Sequence, residues 1–187
     1  MVHTKAGASV DDLYRIRGKA EIVDGELVLM SPTGFLPGRA GYAICVSLRR
    51  YEEATRSGYA IPDNVGFVVN LPNRRSFSPD AAYYVGQPTD AKFLQGAPRF
   101  AAEVRSEEDY GLAAEIRMAA KRADYLAAGT LVVWDVDVLR EQWVKAYSVE
   151  DPEGPRTFGR DEVADAEPAL PGWRMPVAEL FEGNQPA

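Results

Sequence analysis

The chain has 187 residues, 46% of them hydrophobic and 26% charged, with a formal charge of −7. This suits one soluble globular domain with a full core, and the acidic balance argues against a general nucleic-acid coat. One cysteine (Cys45) excludes an internal disulfide, one histidine (His3, in the N-terminal tail) excludes a Cys/His zinc cluster, and no apolar run approaches a membrane span, so a cytoplasmic protein without a membrane partner is expected.

Ser9 is an N-cap for a short helix from Val10 to about Arg17, with Asp11 and Asp12 in its first turn. A strand over Glu21 to Met30 is interrupted by the turn pair Asp24-Gly25, and Ser31-Pro32-Thr33-Gly34 ends it. Gly38 to Arg56 reads as a helix, with Ile44, Leu48 and Tyr51 on one face and Gly58 closing it. Short strands follow at Val65 to Leu71, Asp80 to Val85 and Arg99 to Arg105. Ser106 then caps a long helix that opens with Glu107-Glu108-Asp109 and stops at Gly129. Thr130 to Val136 is a buried strand, with Gln142 to Ser148 beside it. Residues 151–187 hold three Arg against eight Asp and Glu and read as acidic and turn-rich. This order predicts one mixed α/β domain over 1–187, a central mixed sheet flanked by helices, with flexible tails at 1–8 and 183–187.

Chemistry concentrates at two carboxylates. Asp80 opens the apolar run Ala81-Ala82-Tyr83-Tyr84-Val85, and Glu103 lies inside Phe100-Ala101-Ala102-Glu103-Val104. A carboxylate among apolar strand residues is costly unless a positive charge meets it. Two of them together repel, and a divalent cation such as Mg²⁺ or Mn²⁺ resolves both problems. Alternation puts Ala101, Glu103 and Arg105 on one face of their strand, so Glu103 reaches Asp80 if the two strands are neighbours.

Pro79-Asp80 followed by Glu103-Val104-Arg105 resembles the PD-(D/E)XK signature of restriction-endonuclease-like nucleases. Glu21-Ile22-Val23-Asp24-Gly25-Glu26-Leu27, Ser31-Pro32-Thr33-Gly34, Lys121 to Gly129, Trp134-Asp135-Val136-Asp137 and Leu170-Pro171-Gly172 stand in the order of one subfamily, the Uma-type family of restriction-endonuclease-like proteins. The resemblance spans about residues 15–182 and implies a restriction-endonuclease-like core. It also implies a DNA endonuclease that hydrolyses phosphodiesters with Mg²⁺ or Mn²⁺. Asp80 and Glu103 would hold the ion, with the Val104 carbonyl as a third ligand and Glu26 completing the site. Lys121 matches a motif lysine that has migrated to the following helix, where it would orient the attacking water or stabilise charge on the phosphate. A homodimer is expected, because cutting both strands of a duplex takes two sites.

The chain departs from the pattern twice. Pro37-Gly38-Arg39 replaces a stretch that often holds a histidine, leaving that role lost or moved to Arg39. Arg105 stands where the parent superfamily has its lysine; arginine cannot serve as a base but can clamp a phosphate. Periodicity also opposes the assignment of Lys121. Leu112, Ile116, Ala123 and Leu126 form one helical stripe with Lys121 nearly opposite, which by itself predicts a solvated lysine.

Other candidates have plainer readings. Asp135 and Asp137 mark the end of a core strand, and Arg49, Arg50, Arg74 and Arg75 are solvated surface charges. Of Tyr83 and Tyr84, one is core and the other is free to stack a base. The alternative to an enzyme is an inactive nucleic-acid-binding or protein-interaction module on the same fold. A further one is a structural homodimer with an exposed apolar patch at Trp143 or Trp173.

Overall fold

The computed structural model describes residues 2–181, with side chains from Gly7 onward; the expected tail 183–187 lies outside them. The segment expected as the N-terminal tail contributes strand β1 (Val2–Ala6). After the single helical turn α1 (Val10–Leu13), β2 (Ala20–Val23) and β3 (Glu26–Leu29) complete a small antiparallel sheet in the order β1-β3-β2. Asp24 and Gly25 take φ values of 51° and 74°, forming the two-residue turn that their sequence announces.

Helix α2 (Phe35–Thr55) begins three residues before the expected Gly38. Pro37 falls in the first turn, where an N–H would have no helical partner, so it is no obstacle. The helix ends at Arg56, itself left-handed at φ 51°, rather than at Gly58. Ala40, Ile44 and Leu48 are fully buried. Gly41 brings α2 close to the head of a sheet strand: a Cβ there would stand 3.4 Å from the Asp80 carbonyl oxygen.

The chain continues through β4 (Tyr59–Pro62), β5 (Phe67–Val68), β6 (Ser76–Phe77), β7 (Ala81–Tyr84), β8 (Leu94–Gln95) and β9 (Phe100–Val104). Helix α3 (Leu112–Ala127) leads to β10 (Val132–Asp137), β11 (Trp143–Ser148) and β12 (Arg156–Gly159). The acidic C-terminal part, read from sequence as turns, holds β12, β13 (Val163–Asp165) and β14 (Arg174–Pro176), followed by a 3-10 turn at Val177–Phe181. The central six-stranded sheet runs β12-β11-β10-β9-β7-β4. Its β9 and β10 are parallel and joined by α3, while its other pairs are antiparallel. The fold is therefore the expected mixed sheet flanked by helices. Among the described residues no helix is long and apolar enough to cross a membrane.

One face of this sheet is apolar across its central strands. Phe100, Ala102, Val104, Val132, Trp134 and Val136 pack under α2 and the C-terminal segment. The rings of Phe100 and Trp134 meet edge-on at 5.3 Å, and Trp173 lies 4.9 Å from Trp134. Trp173 is thus core, not the exposed patch considered above, and Tyr83 and Tyr84 are both buried, so neither is free to stack a base.

The second face packs Ala82, Ala101 and Val133 against Phe67, Phe77 and Tyr125, with Phe77 stacked on Tyr125 at 3.9 Å. Helix α3 covers it in an orientation the apolar periodicity does not predict. Leu112 and Ile116 are 80% and 62% exposed, whereas Ala114 and Tyr125 are buried and the Lys121 side chain is only 19% exposed. The helix also begins later than expected. Gly111, at φ 90°, starts it, and Ser106 instead closes a turn in which its N–H and hydroxyl donate to the Asp109 carboxylate.

Candidate active site

Asp80 stands just before β7 and Glu103 lies in β9. The pairs Ala81–Ala102 and Ala82–Ala101 fix an antiparallel register that ends just short of Asp80, and Asp80 and Glu103 line the same cavity. The Asp80 N–H donates to the Ala102 carbonyl at 3.1 Å, the same residue that pairs with Ala81, so the ladder is irregular at Asp80. Pro79 just before Asp80 has no N–H to extend it further. On the other side of β9, Glu103 lies beside Asp135 of β10. The second face of the sheet, apolar through Ala101 and Val133, therefore turns acidic toward the carboxyl ends of β9 and β10, where open α/β sheets commonly bind ligands.

Each carboxylate of the pair is matched with an ammonium. Asp80 accepts from Lys19 Nζ at 2.8 Å through Oδ1 and from the Val104 N–H at 2.8 Å through Oδ2. Lys19 also donates to Asp63 at 2.6 Å. Glu103 accepts from Lys121 Nζ at 2.8 Å through Oε2 and from the Tyr125 hydroxyl at 2.7 Å through Oε1. Lys121 and Tyr125, one helical turn apart, thus both reach into the sheet.

Behind this pair stands a buried acid that sequence reasoning passed over. Glu21 of β2 meets Lys121 at 3.0 Å, Arg74 at 2.6 Å and the Ser78 N–H at 2.8 Å. Arg74 in turn donates to Asp124 at 2.7 Å. Arg74, expected on the surface, is 5% exposed and ties β2 to α3. The signal was present, since Glu21 stands in the strand Ala20-Glu21-Ile22-Val23 as Glu103 does in its own. Lys19 carries no such signal.

Burial is the largest influence on Glu103 and raises its carboxyl pKa to about 7; Lys121 opposes the rise, and Asp80 and Glu21 reinforce it. Lys121 loses solvation as well, but Glu103 and Glu21 outweigh that loss and hold its pKa above the usual lysine value. An ammonium held this way is a fixed positive charge, not a base. Despite its burial, Glu21 stays below the usual carboxylate range because Lys121, Arg74 and the Ser78 N–H favour its charged form.

The remaining predicted residues separate from this centre. Glu26 opens β3 opposite Val23 and Ala6 and does not line the cavity described next. Arg105 is 5% exposed and is held by Asp135 through two bonds of 2.8 Å and by Glu115 at 3.0 Å. Arg122 donates to the same Asp135 at 2.9 Å, so Arg105 is a structural partner of α3 rather than a free phosphate clamp.

A cavity of about 1000 Å³ opens over the carboxylates. Asp80, Glu103, Val104, Lys19 and Lys121 line it, the Ser31-Pro32-Thr33-Gly34 loop and Phe35 form one wall, and Arg17 and Arg117 stand on its rim. Among the described residues no cluster of three or more His, Cys, Asp or Glu is arranged to hold a metal. Two carboxylates lining one cavity are oxygen donors of the kind Mg²⁺ or Mn²⁺ accepts while keeping several waters. In this structure Lys19 and Lys121 stand on these oxygens, which an ion would have to share with them.

A family model, Uma2, described as "Putative restriction endonuclease", matches residues 10–178. No curated protein matches the chain. Among solved structures, the crystal structure of a putative nuclease belonging to DUF820 from Anabaena variabilis ATCC 29413 is similar, with a TM-score of 0.73 and 14% identity. The match covers 93% of this chain and 97% of that one, and at this identity it is a likeness of fold.

Proposed function

Because this chain belongs to the Uma2 family, described as "Putative restriction endonuclease", we propose that it is a nuclease hydrolysing DNA phosphodiesters with Mg²⁺ or Mn²⁺ bound at Asp80 and Glu103. The observation that carries the reading is that these two carboxylates, one just before β7 and one in β9, line a single open cavity. Restriction-endonuclease-like families generally use divalent metals, and a nuclease family implies a nucleic-acid substrate.

Asp80, Glu103 and the Val104 carbonyl would hold the ion. Once bound, it would polarise the scissile phosphate and lower the pKa of a coordinated water. The chain's own groups do the rest. The Val104 N–H and the Tyr125 hydroxyl fix the orientations of Asp80 and Glu103. Lys121 stays charged and stabilises the negative charge that develops on the phosphate. Glu21 positions Lys121 from behind, taking the supporting place expected for Glu26. Lys19 neutralises Asp80 before the ion arrives and, tethered by Asp63, remains beside it as a second cation for the substrate.

The test is nucleic-acid cleavage with Mn²⁺ by the parent, Asp80→Asn, Glu103→Gln and Lys121→Met. We expect metal-dependent cutting that both carboxylate variants lose by at least about a hundredfold, as is usual when a group stabilising transition-state charge is removed. Circular dichroism should stay unchanged. Parental rates in either carboxylate variant would show that the site is elsewhere.

A second reading rests on the completeness of the same pairing. With Lys19 on Asp80 and Lys121 on Glu103, the charges neutralise one another and fasten α3 to the sheet, as an inactive binding module requires. Such a module has no use for a divalent ion, and metal binding separates the two readings.

A further inference from the structure

We propose that Phe35, Arg39 and Tyr42 on the opening turns of α2 form a subsite that stacks and clamps an unpaired nucleic-acid strand beside the cavity. This rests on the nuclease reading above and deepens it by naming the substrate class. The spacing i, i+4, i+7 puts the three residues on one helix face. Phe35 is 71% and Tyr42 62% exposed, while the opposite face of α2 supplies the core through Ala40, Ile44 and Leu48. The Arg39 guanidinium lies 5.5 Å from the centre of the Tyr42 ring, between the two aromatics in sequence.

The stripe adjoins the carboxylates. Phe35 lines the main cavity, Tyr42 lines an adjoining one of about 170 Å³, and both cavities include Thr33, Pro37, Asp63 and Asp80. Seven helical residues rise about 10 Å, close to three base steps at about 3.4 Å each. Two aromatic platforms on one helix face, with a guanidinium against the Tyr42 ring, suit bases whose faces are free and a phosphate of the strand that joins them. In a duplex those faces are already stacked on neighbouring bases. An unpaired strand also removes the reason to expect a homodimer, since one cut then suffices.

The test is fluorescence anisotropy with a labelled oligodeoxythymidylate of about 16 nucleotides, the upper end of single-strand site sizes, against a duplex of equal length. EDTA in the buffer keeps cleavage out of the measurement. The parent should bind the single strand more tightly, and Phe35→Ala and Tyr42→Ala should each weaken that binding about tenfold. Tyr42→Phe should restore it, and Arg39→Ala should lower the salt slope by about one. Unchanged single-strand binding in the alanine variants overturns the proposal. So does equal binding of duplex, or a loss of self-association in those variants without a loss of DNA binding, which would make the stripe a contact between two copies. Manganese-dependent cleavage, read separately, reports on the nuclease reading itself. Cutting of duplex without stacking-dependent binding removes only the subsite, whereas stacking-dependent binding without cutting removes only the chemistry.

Discussion

Along β9, Phe100, Ala102 and Val104 enter an apolar layer beneath α2, while Ala101, Glu103 and Arg105 on the other side run from apolar packing into a row of paired charges beneath α3. The first face is one apolar cluster that includes Tyr83 and Trp173. On the second, Glu21, Arg74, Lys121, Glu103, Arg105 and Asp135 are drawn from five separate parts of the sequence and mostly buried. Burying ion pairs rarely exceeds well-packed hydrocarbon in stability, since desolvation offsets the attraction. The charged face is therefore better explained by what it does than by what it holds together.

If this division is right, truncations on the apolar face should cost stability heavily and leave metal affinity alone. Phe100→Ala or Trp134→Ala should lower unfolding free energy by about 3–5 kcal/mol in urea titrations, each removing a fully buried ring from a packed cluster. Mn²⁺ affinity of the folded protein should persist. A metal affinity that collapses with stability would show that the faces are not separable.

Arg74→Met tests the charged face from behind, because it strands Glu21 in the interior. A loss of about 3–5 kcal/mol is expected, as when one partner of a buried pair is removed. A loss under about 1 kcal/mol would mean that Lys121 and the Ser78 N–H suffice for Glu21.

Asp137 closes the turn after β10, accepting from Tyr110 and from the N–H groups of Leu139, Arg140 and Glu141. These bonds hold its carboxyl below the ordinary value, against the opposing effect of burial. Its contribution is present above the ordinary aspartate range and is lost as pH falls through the depressed folded value. Asp137→Ala should cost about 1–3 kcal/mol at neutral pH and much less in strong acid. An equal cost at both pH values would place the effect in packing.

Glu103 titrates in the opposite sense. Between its ordinary range and about 7 the folded protein retains a proton there that the unfolded chain has released, so this group's contribution to stability falls as pH rises. Metal must displace that proton. Apparent Mn²⁺ affinity should climb up to about tenfold per pH unit below 7 and flatten above it. A flat profile from pH 5.5 would mean that Glu103 is already ionised there.

The smallest effect belongs to the outer face of α3. Leu112→Ser should change stability by less than about 0.5 kcal/mol, because the side chain is 80% exposed. A large loss would restore the orientation that the apolar stripe predicts.

That stripe shows where sequence reasoning met its limit. Alternation in β9 correctly separates Glu103 from Phe100, because a strand has only two sides. Register then makes Asp80 its neighbour, and Asp24-Gly25 places the β2–β3 turn. For α3 the usual rule that the apolar face points inward fails, since the sheet beneath it presents carboxylates and needs Lys121 and Arg122 instead. Lys19 gave no warning, as a lysine before a strand looks the same whether it meets water or Asp80. Strands β1, β4, β6, β8, β12, β13 and β14 escaped notice; the last three carry few apolar residues amid acidic turns.

The most direct measurement is calorimetric titration of the protein with Mn²⁺ at pH 7.5, beside Asp80→Asn and Glu103→Gln. If the charged face exists to hold a divalent cation, the parent should bind one ion and each variant should lose at least about tenfold in affinity, in keeping with the loss of a metal-site group. A parent that binds no ion, or variants that bind it as well as the parent, would leave Asp80, Glu103 and their two lysines as structural ion pairs and contradict the account.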